Sequence, residues 1–206
     1  MMNWMQTLAL IELSITCGVV IVWLLQMTVS KPLPIPMRWI GVLILANVFF
    51  WPIGLSLELP LVGYVRGVTG DLSVVLTLLL WSAVMLPSRP IPTGFRVALI
   101  CITLMFYPLA LGLGMFDPYV WGYGSLGFLI GVVLFALFCG LFGWTKGVWI
   151  FAIAIIAWAG NWHESTNLWD YLLDPLLALW AIITCIRILF IRRRNKAQSG
   201  YLFRPG

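Results

Sequence analysis

His163 is the only histidine in this chain of 206 residues, and it lies in the most polar stretch of a sequence poor in polar groups. Residues 161–175 read Asn-Trp-His-Glu-Ser-Thr-Asn-Leu-Trp-Asp-Tyr-Leu-Leu-Asp-Pro. An imidazole close to carboxylates is the composition of a general acid–base pair. His163, Glu164 and Asp170 are therefore the candidate catalytic groups. Two other places stand out. Glu12 interrupts an apolar run, where an ionisable side chain is costly and is usually paired or functional. Arg66 is a lone base among acids, and its planar fork suits a phosphate or a carboxylate. An ion pair with Glu12, Glu58 or Asp71 is expected for it. Arg66, Glu12 and Asp71 are the candidate substrate-binding groups, although a purely structural lock between Arg66 and Glu12 or Asp71 accounts for them equally well.

Several of the acids have a simpler use. Asp174 before Pro175 reads as a helix N-cap with proline at the first helical position. Asp117 before Pro118 reads as a turn, Asp71 as the cap of a helix at the start of its apolar run, and Asn167 or Thr166 as the cap of a helix that follows. No HExxH, nucleophile motif or Gly-rich phosphate loop accompanies these residues. No cofactor is expected, apart from a hard cation such as calcium or magnesium held by several carboxylates. Cys17, Cys101, Cys139 and Cys185 lie in apolar runs without a CxxC spacing and read as small buried hydrophobes.

The elements that position these groups follow from composition. Hydrophobic residues make up 62% of the chain and charged ones 9%, whereas a soluble domain carries roughly a quarter charged residues. Lipid is the solvent that fits. Seven apolar windows, at 7–26, 39–57, 71–86, 97–116, 124–144, 146–159 and 172–191, approach the about 20 helical residues that a hydrocarbon core requires. The third and sixth are short and are expected to lengthen, the third backwards through Gly67 and the sixth forwards to Trp162. Continuous runs without alternation indicate helices rather than barrel strands. The first window lacks a preceding Lys or Arg and contains Glu12, so it reads as a retained span rather than a signal peptide.

Charge gives the orientation. Arg192, Arg193, Arg194 and Lys196 follow the last window and mark that end as cytoplasmic. With seven spans, Lys31, Arg38, Arg89, Arg96, Lys146, Arg187 and Arg204 fall on the same side, and Arg66 is the exception. Glu58, Asp71, Asp117, Glu164, Asp170 and Asp174 fall on the other side, with Glu12 just inside it. The expectation is an all-α integral membrane protein of an inner-membrane type. Its N-terminus is outside and its C-terminus cytoplasmic, with a bundle over 1–191 and a short basic tail over 192–206. Gly127 and Gly131, and Gly143 and Gly147, form GxxxG pairs expected to pack helices within the chain.

Three function classes suit this frame. The first is an accessory or scaffold-type subunit packing against a larger membrane partner, the class that small size and tiny loops favour. The second is an enzyme acting on a lipid or lipid-linked substrate at the outer leaflet. The third is a carrier for a small cation or a proton. The bilayer is the expected surrounding partner. Nucleic acid is not, because the basic residues are juxtamembrane and serve orientation and contact with anionic lipid, and nucleotide is not, because no Gly-rich phosphate loop is present.

Overall fold

The computed structural model describes residues 4–29, 31, 33–52, 58–86 and 91–201. Arg89, Arg204 and the end of the second apolar window lie outside the described residues. Every described element is helical: α1 (Trp4–Thr28), α2 (Ile35–Phe50), α3 (Leu61–Thr69), α4 (Val74–Met85), α5 (Thr93–Ala110), a 3-10 helix (Pro118–Tyr123), α6 (Leu126–Leu141), α7 (Thr145–Ala159), α8 (Leu168–Leu172) and α9 (Pro175–Tyr201). Each apolar window becomes one helix, namely α1, α2, α4, α5, α6, α7 and α9.

Three of these are long and apolar enough to cross a membrane: Thr7–Thr28 of α1, α5, and Pro175–Asn195 of α9. The other four have 12 to 16 residues. At 1.5 Å per residue α4 is about 18 Å long, well short of an about 30 Å hydrocarbon core. The expected extensions do not form. Pro60 presets the start of a separate amphipathic helix, α3, and Gly70 at φ +69° ends it, so the third window does not continue back through Gly67. Helix α7 stops at Ala159, where Gly160 and the left-handed Asn161 turn the chain before Trp162 is reached. Helix α9 runs unbroken through Arg192–Arg194, so the basic segment continues the last helix.

The chain divides into two compact units. One comprises Met1–Arg89 and Tyr119–Asp174, the other Pro90–Pro118 and Pro175–Gly206. In the larger unit α1 packs on α2 and α4, α4 on α7, and α7 on α6. Val19, Val22, Val42, Val84 and Met85 form a buried cluster there, with Ile15, Leu45, Leu80 and Trp81 against it. Gly18 permits the α1–α2 approach: a Cβ on it would lie 2.9 Å from the Val42 carbonyl oxygen. The Gly127/Gly131 pair behaves otherwise than expected. A Cβ on Gly131 would meet nothing within 4 Å, and one on Gly127 would meet only the Ser125 hydroxyl. In the smaller unit α5 packs along α9, and the Arg96 guanidinium lies 5.8 Å from the centre of the Trp180 ring, a cation–π contact.

Helix direction in the larger unit separates the charges. Ser73 caps α4 by accepting from the Leu76 amide, so the cap is not Asp71. At the other end of α4, Arg38 donates to the Val84 carbonyl at 3.0 Å and to Leu33 at 2.8 Å. Acids thus gather where α4 begins, and a base sits where it ends.

Candidate functional site

Helix α1 brings Glu12 to the acidic end of the larger unit, one turn before Thr16. Helix α4 and its N-cap present Ser73, Thr77 and Trp81 at four-residue spacing, hence on one face. These two stripes meet. Thr77 donates to Glu12 Oε1 at 2.8 Å, and Trp81 Nε1 donates to the Thr16 hydroxyl at 2.9 Å. The Thr16 hydroxyl itself donates back to the Glu12 carbonyl. One turn deeper the same two helices are apolar, at Val19, Val22, Val84 and Met85. The polar seam therefore runs in from the acidic end and stops at a dry plug.

His163 reaches Glu12 from the loop after α7, with Nε2 3.0 Å from Glu12 Oε2. Both residues are buried, His163 at 4% and Glu12 at 7% exposure. The imidazole stacks on the Tyr171 ring, with centres 4.7 Å apart and planes 14° from parallel. Tyr171 is fully buried in α8; its hydroxyl accepts from the His163 amide and donates to the Ser165 carbonyl, each at 3.0 Å. Burial pushes the Tyr171 phenol up from its ordinary value, which keeps it protonated as a donor.

Arg66 does not pair with Glu12. Its Nε and Nη2 donate to the two Asp71 oxygens at 2.6 and 2.9 Å, a bidentate bond closed by the short connection between α3 and α4. Nη2 also lies 3.0 Å from Glu164 Oε1. The hydrogen bond to Asp71 pushes the guanidinium above its already high ordinary value, so it stays charged. Asp170 is held by the Tyr119 hydroxyl at 2.9 Å and by Ser165 at 2.5 Å. Burial, then the bond to Asp170, pushes the Tyr119 phenol up. Asp174 accepts from the Ser73 amide at 2.9 Å and the Ser73 hydroxyl at 2.6 Å, tying the start of α4 to the residue before α9.

The six candidates thus fall into three sets: Glu12 with His163, Arg66 with Asp71 and Glu164, and Asp170 with Tyr119 and Ser165. Asp71 also lines, with Glu12, Thr77, His163, Ala9, Leu13 and Leu72, a recess of about 10 Å³, the size that holds one water molecule. Among the described residues no three His, Cys, Asp or Glu side chains converge so as to hold a metal ion.

A search for charges misses the uncharged contributors: Thr77, Thr16, Tyr171 and Asn167, together with Tyr119, Ser165 and Ser73. The two threonines were legible as polar residues at helical spacing from Trp81 and Glu12. Asn167 caps α8 through Trp169, as its position suggests, and also donates to the Tyr119 carbonyl at 2.9 Å. The second bond exists because Gly122 leaves room: a Cβ there would overlap the Asn167 side chain. The Tyr171 contacts have no sequence signal. Protein-family models, curated proteins and solved structures give no match to this chain.

Proposed function

We propose that the protein is a seven-span protein of an inner-membrane type, N-terminus outside and C-terminus cytoplasmic, working as an accessory or scaffold-type subunit of a larger membrane protein. The observation that carries this reading is internal satisfaction. At the acidic end Glu12 is bound to His163, Arg66 to Asp71 and Glu164, Asp170 to Tyr119 and Asp174 to Ser73, and the recess beside Glu12, Asp71 and His163 has room for about one water molecule. Pockets for small organic ligands are about 300 to 1,000 Å³. An enzyme for lipid headgroups needs a cavity of that order beside its acid and base.

The outer surface supports the same reading. Ile40, Leu43 and Ile44 on α2 and Leu126, Leu134, Leu137 and Leu141 on α6 are all exposed. In lipid such faces are available to acyl chains or to another span, and the open Gly127/Gly131 edge of α6 would let a second helix approach closely.

Purification of the intact chain from its own membrane in mild detergent tests the proposal. The expected result is a stoichiometric membrane-protein partner whose abundance falls when this chain is deleted. A chain that elutes as a lone monomer, with all membrane complexes intact in its absence, overturns it. Single replacement of Glu12, Arg66, His163 and Asp170, with membrane levels held normal, separates the enzymatic alternative. That alternative predicts lost activity at unchanged abundance.

A further inference from the structure

The two sides of α9 differ. Leu177, Ala178 and Ala181 are buried on one side. Leu179, Ile183, Ile186 and Phe190 recur at spacings of three and four residues, which aligns them in a stripe on the opposite side, and all four are exposed. Because α9 stays helical through Arg192, Arg193 and Arg194, Arg193 continues that stripe three residues beyond Phe190. A recess of about 140 Å³ joins the apolar stripe to the arginine, lined among the described residues by Ile186, Leu189, Phe190 and Arg193.

The size of this recess selects its occupant. A second helix is about 10 to 12 Å across with its side chains, and small organic ligands occupy pockets of about 300 to 1,000 Å³. Neither fits. A single hydrocarbon chain is narrow enough and needs no polar partner along its length. The spacing of the apolar and charged parts agrees with that occupant. Ile183 and Arg193 are ten positions apart, which is about 15 Å along a helix, or half of an about 30 Å hydrocarbon core. A phospholipid with its phosphate at Arg193 therefore has an acyl chain beside Phe190, Ile186 and Ile183.

We propose that this stripe binds one anionic phospholipid. The planar fork of Arg193 donates to the headgroup phosphate, and Arg194, four residues from Phe190, borders the same stripe. Both arginines are exposed. Arg192, one residue earlier, is turned about 100° round the helix from Arg193 and away from the stripe, so it adds only general attraction. A guanidinium stays charged at physiological pH, and α9 contains no Asp or Glu to neutralise it. A zwitterionic lipid brings a cation of its own to the same place, which makes an anionic headgroup the better match. The inference needs no partner protein. It rests on the cytoplasmic placement of the C-terminus only for the leaflet from which the lipid comes.

Native mass spectrometry of the full chain in detergent, with phosphatidylglycerol or phosphatidylcholine titrated in, counts bound lipids one by one. One phosphatidylglycerol should be held about tenfold more tightly than phosphatidylcholine, the scale of a charge-assisted bond. Arg193→Gln should remove that preference, whereas Arg192→Gln should weaken binding by no more than about fivefold, as for a basic residue merely near the membrane surface. Ile186→Trp fills the recess without altering charge and should also lower phosphatidylglycerol occupancy. Equal losses in the two arginine variants would mean attraction to the basic segment as a whole and would overturn the site, as would unchanged binding by Ile186→Trp. Excess inorganic phosphate should not displace the lipid; displacement would assign the arginines to a free anion and overturn the part played by the chain. If a variant does not fold, wild type still decides, because equal retention of the two lipids overturns the proposal. An error in the membrane topology would change the leaflet and leave these affinities in detergent as they are.

Discussion

At the residue scale, the acidic end is an arrangement of hydrogen bonds whose strengths differ according to burial. The Arg66 and Asp71 side chains are 20% and 21% exposed and share a bidentate bond, whereas Glu164 is 62% exposed. A double-mutant cycle on Arg66→Ala and Asp71→Ala should return a coupling of about 1–3 kcal/mol, as for a charge-assisted pair shielded from water. The cycle with Glu164→Ala should return less than about 1 kcal/mol, as for an exposed ion pair. Denaturation in detergent measures both, and equal couplings would contradict the geometry.

Tyr119 offers a second residue-scale prediction. Its phenol is raised above the ordinary 10.0 by burial and by its bond to Asp170. A group raised in the folded state contributes stability that is complete below the unfolded value and is lost as pH climbs through the folded one. The Tyr119–Asp170 bond should therefore persist at neutral pH and weaken only above about pH 10. The tyrosinate absorbance of wild type minus that of Tyr119→Phe isolates this phenol. A midpoint at or below 10 would remove the claim.

At the element scale, helix starts are set by prolines and serines rather than by the edges of the apolar windows: α2 and α5 begin at Ile35 and Thr93, and α4 is capped by Ser73 rather than Asp71. Prolines and serines mark the starts: Pro34 precedes α2, Pro60 precedes α3, Pro92 precedes α5, and Ser73 and Ser125 accept from the amides of α4 and α6. The short third and sixth windows stayed short because Gly70 and Asn161 take left-handed backbone at their boundaries. Hydropathy carries no record of that. Glycines also divide by environment. Gly18→Ala should destabilise by about 1–3 kcal/mol through overpacking against the α2 backbone. Gly131→Ala meets open space and should leave the stability of the isolated chain unchanged or slightly raised, by up to about 1 kcal/mol from helix propensity. Thermal unfolding of the two variants in one detergent compares them directly, and equal losses would place α6 in a packed environment.

At the scale of the whole molecule, the segregation of charge is the feature with the widest consequence. In the larger unit, Glu12, Asp71, Glu164, Asp170 and Asp174 collect with Arg66 at one end of the helices, while Arg38 binds the far end of α4. Impermeant thiol reagents should label Lys31→Cys and Thr166→Cys from opposite sides of the membrane, with Thr166→Cys reached from outside. Labelling of both from the same side would undo the seven-span arrangement.

The sequence by itself determined that the chain is helical and apolar, where each apolar helix lies, and which residues carry charge. Those properties depend on composition and local spacing, which lipid and backbone hydrogen bonding read directly. It also made an Arg66–Asp71 bond foreseeable, because the partners are five positions apart across a turn at Gly70. Only the tertiary structure decided that Glu12 meets His163 rather than Arg66, and that Thr77 and Tyr171 complete that contact. A bond between residues 151 positions apart depends on how α1, α4 and α7 pack, and packing is set by shape complementarity along whole helices. The residues that could do chemistry were visible in the sequence, and their division into three separately satisfied sets was a property of the fold.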